Sequence, residues 1–580
     1  MLLHKIFGSK ITQIGAACLA TVLLASFAYY YTQQPATHTP MPTPTNPDGQ
    51  NPAEQIAAAK KLTAQGKHLE AIKVMQDTAK KNPKNAEVIF NFGLALAEGK
   101  LYPQAEQAYQ LALKLTPNHP VILTCLGFAF YNDKKYEQAL ETYQKVLTVN
   151  PGYFDATLQM SRTYYEIDQF EKAEQWVKKA LAIKPDHVQA TIHLGHVHNK
   201  LGNLDAAIAQ YGKAIKLEPN SANAHYNLGY TLRVKGDLQA ALPELNKAIE
   251  LNPDYLDAHI ALAQTYWGLE DFENGFKEYE WRWKLHGMDP QSIKSTMWDG
   301  SPLGTKSILV FCEQGLGDSI QFIRYAQIIK EQNPAAKIIA KVQGPLVPIL
   351  SRCKYIDAVV TAKTENPPKY DTQAPLMSLP MILKTKPNKI PAPRSYLEAD
   401  PKLVQYWKDK LSPDKNFKIG ICWHVDPSHE LDKSPISKRS LALSLFEPLS
   451  QLKGVSFYSL QKINGTDQLK DKPKGLKLTT FGADFDEAHG RFMDTAALMV
   501  NLDLIVSSDT SIVHLAGALG KPVWMLLPYS PDCRWYLGRS DSPWYPTMRI
   551  FRQPKPYDWK SAMNEVKTAL KRTTEKKVIT

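Results

Sequence analysis

Residues 185–218 read PDHVQATIHLGHVHNKLGNLDAAIAQYGKAIKLE, which is one period of a repeat of 34 residues. A proline returns at this interval from Pro83 to Pro253, and a small residue returns from Ala71 to Gly275. The small residue allows two paired helices to approach closely, and the proline stops the second helix of each pair. The spacing predicts seven helix pairs within residues 53–285.

The repeat resembles the tetratricopeptide repeat, an all-α unit that stacks into a superhelix. The resemblance implies a concave groove that binds a protein or peptide segment. In the repeat arm of protein O-GlcNAc transferases, a ladder of asparagines holds the peptide backbone. The residues at the equivalent place here include Asn91, Gln159, His193 and Asn227. Only the two asparagines match that ladder, and the other two are polar substitutes.

Three histidines within one repeat, His193, His196 and His198, raise the question of a metal site. Residues 193 and 196 share a helix face, but no carboxylate or cysteine completes a ligand set at the usual spacing. The six cysteines contain no CxxC pair, which argues against a zinc site and against a disulfide framework. We therefore expect surface histidines and no metal.

After a connector at residues 286–304, apolar runs alternate with helical stretches. The alternation predicts two parallel α/β units, a first Rossmann-like unit at 305–400 and a second at 401–572, with a basic tail at 573–580. Helices are expected at 319–331 and 345–353. Strands are expected at 306–312, 337–342, 356–361, 418–423, 455–460, 476–480, 503–507 and 523–527.

Two motifs follow predicted strands, where ligands of parallel sheets bind. The first is a tight turn with the members Gly315, Gly317 and Asp318. The second, residues 507–522, reads SSDTSIVHLAGALGKP. Its Asp509 or Thr510 caps a helix whose free amides form a phosphate site, and His514 follows about one turn later. The alternative is a capped helix that binds no ligand.

Together these motifs resemble the family 9, heptosyltransferase-like glycosyltransferases of GT-B fold, over roughly residues 305–570. Bacterial proteins that join tetratricopeptide repeats to such a domain also show segments like Gln314-Gly-Leu-Gly-Asp-Ser-Ile-Gln-Phe322 and Ser542-Pro-Trp-Tyr-Pro546. The resemblance implies inverting transfer of a sugar from a nucleotide sugar, which is a substrate. It implies no metal and no other cofactor.

The resemblance also implies roles for individual residues. Asp318 matches the base that deprotonates the acceptor hydroxyl. The residues that match the donor side are Asp509, Thr510, Ser511, His514, Lys438 and Arg439. The sequence departs from the family in its short first unit and in Ile320–Ile323, which replaces the usual Thr-Pro. A non-catalytic interaction scaffold with a degenerate transferase domain is therefore the alternative function.

An uncharged run at residues 11–31 follows Lys5 and Lys10 and predicts one transmembrane helix within segment 1–32. A cleaved signal peptide is the alternative. Residues 33–52 are rich in Pro and Thr and predict an extended linker. The positive-inside bias predicts a bacterial inner-membrane protein with a periplasmic soluble part, whereas a nucleotide-sugar donor predicts a cytoplasmic one.

The chain has a formal net charge of +12, from 69 Lys+Arg and 57 Asp+Glu. Residues 286–580 hold the excess, with 41 basic and 29 acidic side chains. This excess suits an anionic ligand such as a nucleotide diphosphate. The sequence contains no helix-turn-helix, RRM or zinc-finger pattern, so nucleic acid is not an expected partner.

Overall fold

The structure is a computed structural model that describes residues 51–285, 297–430 and 437–579. The chain forms two compact units, residues 1–220 and 221–580. The transmembrane helix predicted at 11–31 lies outside the described residues. Within the described ranges, no helix combines the length and the apolar character that crossing a bilayer requires.

The first unit consists of five helix pairs within its described residues. Each second helix ends two residues before a repeat proline, as the period predicts. The recurring alanines of the second helices, from Ala71 to Ala207, are fully buried. The helices are α1 (Pro52–Ala64), α2 (His68–Lys81), α3 (Ala86–Glu98), α4 (Tyr102–Leu115), α5 (Pro120–Asn132), α6 (Tyr136–Val149), α7 (Phe154–Glu166), α8 (Phe170–Ile183), α9 (Val188–Lys200) and α10 (Leu204–Leu217).

Two helix pairs and a short helix open the second unit, so residues 51–285 hold the seven pairs that the spacing predicts. The pairs are α11 (Ala222–Lys235) with α12 (Leu238–Leu251), and α13 (Leu256–Gly268) with α14 (Phe272–Tyr279), followed by α15 (Arg282–Leu285). Phe272 and Phe276 of α14 are buried in one core with Phe322 and Trp544 of the α/β part. This shared core explains why the second unit begins at residue 221, before the boundary expected after residue 285.

The α/β part contains two parallel sheets. The first has the strand order β3-β2-β1-β4, and the second has the order β10-β9-β8-β5-β6-β7. The strands are β1 (Ser307–Phe311), β2 (Lys337–Lys341), β3 (Ala358–Val360), β4 (Thr372–Pro375), β5 (Phe417–Cys422), β6 (Val455–Ser459), β7 (Leu478–Thr479), β8 (Leu504–Ser508), β9 (Val523–Leu527) and β10 (Met548–Arg552). In each sheet the order reverses beside its first strand, between β1 and β4 and between β5 and β8. Such switch points leave a crevice at the carboxyl ends of the strands.

Helices connect these strands, and most are short. They are α16 (Leu316–Phe322), α17 (Tyr325–Gln332), α18 (Val347–Leu350), α19 (Leu379–Ile382), α20 (Pro401–Leu411), α21 (Met493–Asn501), α22 (Ser511–Ala518) and α23 (Trp559–Ile579). The last helix covers most of the segment expected as a basic tail.

The single helix expected at 319–331 is wrong, because the chain forms two helices that meet at Arg324. The Arg324 side chain is buried, and its Nε donates to the carbonyl oxygen of Gln321 at 2.7 Å. In the next turn the backbone bonds three residues back instead of four, as in the hydrogen bond from Ala326 N to Ile323 O at 2.9 Å. The helix expected at 345–353 is also shorter than predicted, because α18 spans only Val347–Leu350. Pro348 lies in its first turn, where a proline is tolerated.

Two strands were missed by sequence analysis. β4 reads TQAP, and its two polar residues and terminal proline do not resemble a buried strand. Its strand partner is β1, and a single parallel bridge joins its Gln373 to Met297 on the other side. A proline is tolerated at such a sheet edge. β10 is likewise an edge strand, pairs with β9 and exposes Arg549.

In several repeats, a glycine of the first helix packs directly against a bulky side chain of the second helix. A Cβ at Gly195 of α9 would lie 2.5 Å from Cε1 of Tyr211 in α10, and Tyr211 is fully buried. The same pairing recurs as Gly93 with Tyr109 and as Gly127 with Tyr143. The aromatic ring therefore requires the absence of a side chain on the facing helix.

We expect Gly195→Ala to lower the free energy of unfolding of the first unit by about 1–3 kcal/mol, because the methyl group would overpack against Tyr211. The measurement is denaturant unfolding followed by circular dichroism. Gly212→Ala is the matched control on the adjacent helix, where a Cβ meets nothing within 4 Å. It should be neutral or stabilising by up to about 1 kcal/mol. Equal effects of the two changes would contradict the packing explanation.

Candidate functional site

A cleft of about 350 Å³ lies at the carboxyl ends of strands from both sheets, within the second unit. The turn after β1 supplies one wall, and the segments after β5, β6, β8 and β9 supply the others. This is the position expected for a ligand of two doubly wound sheets. The cleft contains both sequence motifs, which lie nearly 200 residues apart in the chain.

The turn after β1 is stabilised by its own aspartate. Gly315 N donates to Oδ2 of Asp318 at 3.0 Å, so the carboxylate closes the first turn of α16. Oδ1 of Asp318 accepts from Nη1 of Arg534 at 2.6 Å. Gly317 is required by a close approach, since a Cβ there would lie 2.7 Å from Cδ2 of His514. The predicted turn residues therefore do line the cleft, with α16 packed against α22.

The segment after β8 supplies the opposite wall. Thr510 caps α22, because its Oγ1 accepts from Ile512 N at 3.2 Å. Asp509 is buried, and its Oδ2 accepts from Nε1 of Trp535 at 3.0 Å. Burial raises the pKa of Asp509, and Arg439 and Arg534 oppose that rise. Ser511, the first residue of α22, also lines the cleft.

His514 lies on the same helix with 5% of its side chain exposed. Its Nδ1 is 3.0 Å from the Tyr545 hydroxyl, and its Nε2 is 3.9 Å from Oδ1 of Asp509. Burial lowers the pKa of His514 well below its usual value, and the cations Arg534 and Arg324 lower it further. The imidazole is therefore neutral at pH 7.

Arg534 is the principal site residue that sequence analysis missed. Its Nη1 donates to Asp318 and, at 2.7 Å, to Oε1 of Gln321, while its Nε donates to Oδ1 of Asp532 at 3.0 Å. Burial alone would raise the pKa of Asp532, but Arg534 lowers it to about 2. Asp532 and Arg534 follow β9, a strand that the sequence predicted. Their position after the carboxyl end of a parallel strand is the sequence feature that could have identified them as site residues.

The two cations predicted for donor phosphates are placed differently. Arg439 lines the cleft, and its Nη1 donates to the carbonyl oxygen of Asp509 at 3.4 Å. Lys438 is exposed and is not among the described residues that line the cleft.

Asp486 belongs to an Asp-x-Asp pattern that sequence analysis placed outside the site. The residue nevertheless lines the cleft, because the segment before α21 folds back toward β6. Its carboxylate accepts from the Thr495 hydroxyl at 2.5 Å and from the Thr495 backbone N–H at 3.0 Å. Asp486 therefore holds the start of α21, whereas Asp484 is exposed.

The predicted groove residues of the first unit are largely buried. Asn91 donates from Nδ2 to the Glu87 carbonyl oxygen at 2.8 Å, and Nε2 of His193 lies 3.0 Å from the Ser161 hydroxyl. Gln159 is 4% exposed. In the second unit, Asn227 is partly buried, and its Nδ2 donates to Asn223 on the same helix. Asn91 and Asn227 thus bond within their own helices, whereas His193 contacts Ser161 of the preceding repeat. His193 is buried, so the expectation of a surface histidine is wrong for this residue.

Models of the tetratricopeptide repeat match residues 56–120 and 131–192, and a TPR repeat model matches residues 195–233 and 229–269. These matches coincide with the helix pairs. The helical part of the chain is a tetratricopeptide-repeat array.

A curated relative is protein FlbA of Caulobacter vibrioides, which is 27% identical over 317 residues. The matched region is 51% of this chain and 52% of that protein, so this chain spans about half the length of its relative.

Three solved structures are similar to parts of the chain. YrrB, described as a TPR protein with an unusual peptide-binding site, is 23% identical with a TM-score of 0.27 and covers 32% of this chain and 95% of its own. MamA from Desulfovibrio magneticus is 24% identical with a TM-score of 0.28, covering 29% and 96%. A tetratricopeptide repeat protein from Parabacteroides merdae is 18% identical with a TM-score of 0.35, covering 42% and 97%.

The end of the tetratricopeptide-repeat array meets the strand that carries the glycine turn. Arg282 is 1% exposed, and its Nη2 donates to Oε1 of Glu313 at 3.0 Å and to the Ser378 hydroxyl at 2.6 Å. Glu313 stands two residues before Gly315. Burial raises the pKa of Glu313 to about 7, although Arg282 opposes the rise. The array therefore supports the base of the site through a buried ion pair.

We expect Arg282→Met to lower the free energy of unfolding of the second unit by about 3–5 kcal/mol at pH 8, because it leaves the Glu313 carboxylate buried without its cation. A raised folded-state pKa makes stability fall as pH rises through it, so the loss should be smaller at pH 5.5, where Glu313 takes up a proton. The measurement is urea unfolding followed by tryptophan fluorescence at both pH values.

Lys284→Met is the control for this change, since Lys284 lies on the same short helix and its side chain is exposed. It should alter stability by no more than about 0.5 kcal/mol. A loss in Arg282→Met that is the same at both pH values would contradict the role of Glu313.

Proposed function

We propose that the α/β part of the second unit binds a nucleotide sugar in the cleft and transfers the sugar to an acceptor hydroxyl. The observation that carries this proposal is the meeting of Asp318 from the first sheet with Asp509, His514 and Arg534 from the second. The cleft joins an ionisable group suited to accept a proton with groups suited to hold a sugar and a diphosphate. The acceptor belongs to a protein or to an envelope glycan or lipid.

Each step of the proposed reaction has a group in the cleft. Asp318 removes the proton of the acceptor hydroxyl, and that oxygen forms a bond to the anomeric carbon. The bond from the anomeric carbon to the diphosphate oxygen breaks, and the nucleoside diphosphate leaves with the electron pair. Arg439 and the positive end of the α22 dipole stabilise the charge on that leaving group.

The tetratricopeptide-repeat array binds protein in this proposal and brings it to the second unit. Arrays of this kind present extended surfaces that suit chain segments. Membrane attachment through residues 11–31 is part of the proposal and rests on the amino-acid sequence alone.

A binding module without transferase activity is the second candidate. The observation that favours it is that both oxygens of Asp318 already accept hydrogen bonds, from Arg534 and from Gly315. A carboxylate engaged in this way serves to hold the turn and to join the two walls of the cleft. The cleft would then hold a nucleotide or a sugar as a structural or sensory ligand.

The test uses the full chain with UDP-, GDP-, ADP- and CMP-sugars, first in a thermal-shift screen. A donor at about 100 times its dissociation constant should add about 2.7 kcal/mol of stability. The donor that binds is then supplied with a labelled sugar and a cell-envelope extract. We expect Asp318→Asn to keep donor binding and to lose about 100-fold or more of the labelling, because the general base is gone.

Asp484→Asn is the matched control, since it removes an exposed carboxylate outside the cleft lining and should leave labelling unchanged. Full labelling by Asp318→Asn would overturn the role of that residue. Donor binding without labelling by the wild-type protein would support the binding module. Absence of any thermal shift would overturn the nucleotide-sugar proposal.

A further inference from the structure

Two lysine-rich segments of the second unit lie outside the cleft. Residues 466–477 and 566–577 hold nine basic and three acidic side chains, so they carry half of the net charge of +12. The first segment leads into β7, and the second belongs to α23. The described residues that line the cleft include none from either segment. The basic excess of this half of the chain is therefore concentrated away from the candidate site.

The two segments meet at the residues that precede β6. A Cβ at Gly475 would lie 3.7 Å from Cβ of Ser450. Nζ of Lys567 in α23 donates to Oε1 of Gln451 at 2.5 Å. Because Ser450 and Gln451 are neighbours in the chain, the two segments form one continuous surface. This surface, the lysine face, has the exposed basic side chains Lys453, Lys472, Lys474, Lys477, Lys571 and Arg572.

The lysine face lies at the amino end of the second sheet. The backbone N–H of Phe457 in β6 donates to the carbonyl oxygen of Lys477 at 3.3 Å, which places Lys477 beside the first residues of β6. α23 follows the carboxyl end of β10 and reaches Gln451 at the amino end of β6. The cleft lies at the carboxyl ends of the strands, so a partner bound to the lysine face leaves the cleft open.

The charges of the lysine face are not neutralised by the protein. Among the described residues, Lys472, Lys474 and Lys571 have no ion-pair partner. Acidic side chains within the two segments are outnumbered three to one by basic ones. Like charges that are held together repel each other, and an opposing anionic surface relieves that repulsion. The lysine face is therefore complementary to a negatively charged partner.

The composition of the lysine face favours a lipid surface over a nucleic acid. Eight of the nine basic residues in the two segments are lysines, and neither segment contains an aromatic residue. Nucleic-acid sites commonly use arginine forks and aromatic stacking. Clusters of lysines acting as point charges are typical of proteins that bind anionic headgroups. The uncharged run at residues 11–31, which is expected to span a membrane, would also keep this unit close to such a surface.

We propose that the lysine face binds the anionic headgroups of a phospholipid membrane. The contact is electrostatic and turns the amino end of the second sheet toward the bilayer, with the cleft at the opposite end. It gives the second unit a membrane contact of its own, in addition to the proposed attachment through residues 11–31. The inference does not depend on the transfer reaction, because the lysine face is separate from the cleft.

The experiment is hydrogen–deuterium exchange of the full chain with two kinds of vesicle, phosphatidylcholine alone and equal parts of phosphatidylcholine and phosphatidylglycerol. We expect the vesicles with phosphatidylglycerol to slow exchange in residues 466–477 and 566–577. Vesicles of phosphatidylcholine alone should leave these residues unchanged, even where residues 11–31 insert. Salt at about 0.5 M should remove the protection, because it shortens the screening length to about 4 Å.

The variant that combines Lys472→Gln, Lys474→Gln and Lys571→Gln removes three charges from the lysine face. We expect it to need about 10- to 100-fold more of the phosphatidylglycerol vesicles for the same protection. The three side chains are exposed and lie outside the cleft, so nucleotide-sugar binding should be that of the wild type.

The matched control combines Lys384→Gln, Lys386→Gln and Lys389→Gln. It removes the same number of exposed charges from the segment after α19, beside the first sheet. Because these lysines lie outside the lysine face, the control should need no more lipid than the wild type.

Several outcomes would overturn the inference. Equal protection by the two kinds of vesicle, or protection by neither, would exclude an electrostatic contact with anionic lipid. An equal loss of protection in the two triple variants would assign the effect to net charge and not to the lysine face. Duplex DNA that protects the same residues at concentrations where the vesicles do not would assign the face to nucleic acid. Each of these results would leave the proposed nucleotide-sugar function standing.

Discussion

The ion pair between Arg534 and Asp318 joins the two sheets at the cleft, and the arrangement of the site depends on it. Arg534 follows β9 in the second sheet, and Asp318 follows β1 in the first. The same guanidinium also donates to Gln321 and Asp532, so its donors are shared between both walls. Removing Arg534 would leave the two partly exposed carboxylates of Asp318 and Asp532 without their shared cation. The distance between the two motifs is therefore set by side-chain chemistry as well as by the backbone.

The last tetratricopeptide repeat contributes to the same construction from the outside. Phe272 of α14 packs near Trp544, with ring centroids 6.4 Å apart, and Trp544 also contacts Phe322 of α16. The next residue, Tyr545, reaches His514 in the cleft. The segment Ser542–Pro546, which carries part of the family resemblance, thus contacts both the repeat helices and the site. One continuous core supports the array end and both cleft walls.

The helix pairs could be predicted from the sequence because each repeat contacts only its neighbours, so that the same residue types recur at a fixed spacing. The prolines and small residues predicted seven helix pairs, and apolar runs predicted eight of the ten described strands. In one repeat the two positions change together: Ser161 stands at the glycine position where Val177 replaces the tyrosine. The partners within the cleft could not be predicted in this way. Arg534 meets Asp318 across 216 residues, and only the crossing of two sheets brings them together. The partners of Asn91 and Asn227 could not be predicted for a related reason, since spacing alone does not reveal that each of these side chains bonds its own helix.

The charge of the cleft also differs from the charge of the sequence around it. Residues 286–580 carry a clear basic excess, which suggested attraction of an anion. The described residues that line the cleft instead include five carboxylates and four cationic side chains. A diphosphate would therefore gain little from the net charge of this surface. In the proposed function its binding depends on individual groups at fixed positions, such as Arg439 and the positive end of the α22 dipole, which act at short range. The carboxylates, in turn, suit the hydroxyl groups of a sugar, because each one accepts hydrogen bonds without needing a counter-charge. The balance of charges thus favours a ligand with an anionic end and a hydroxyl-rich end over a simple polyanion.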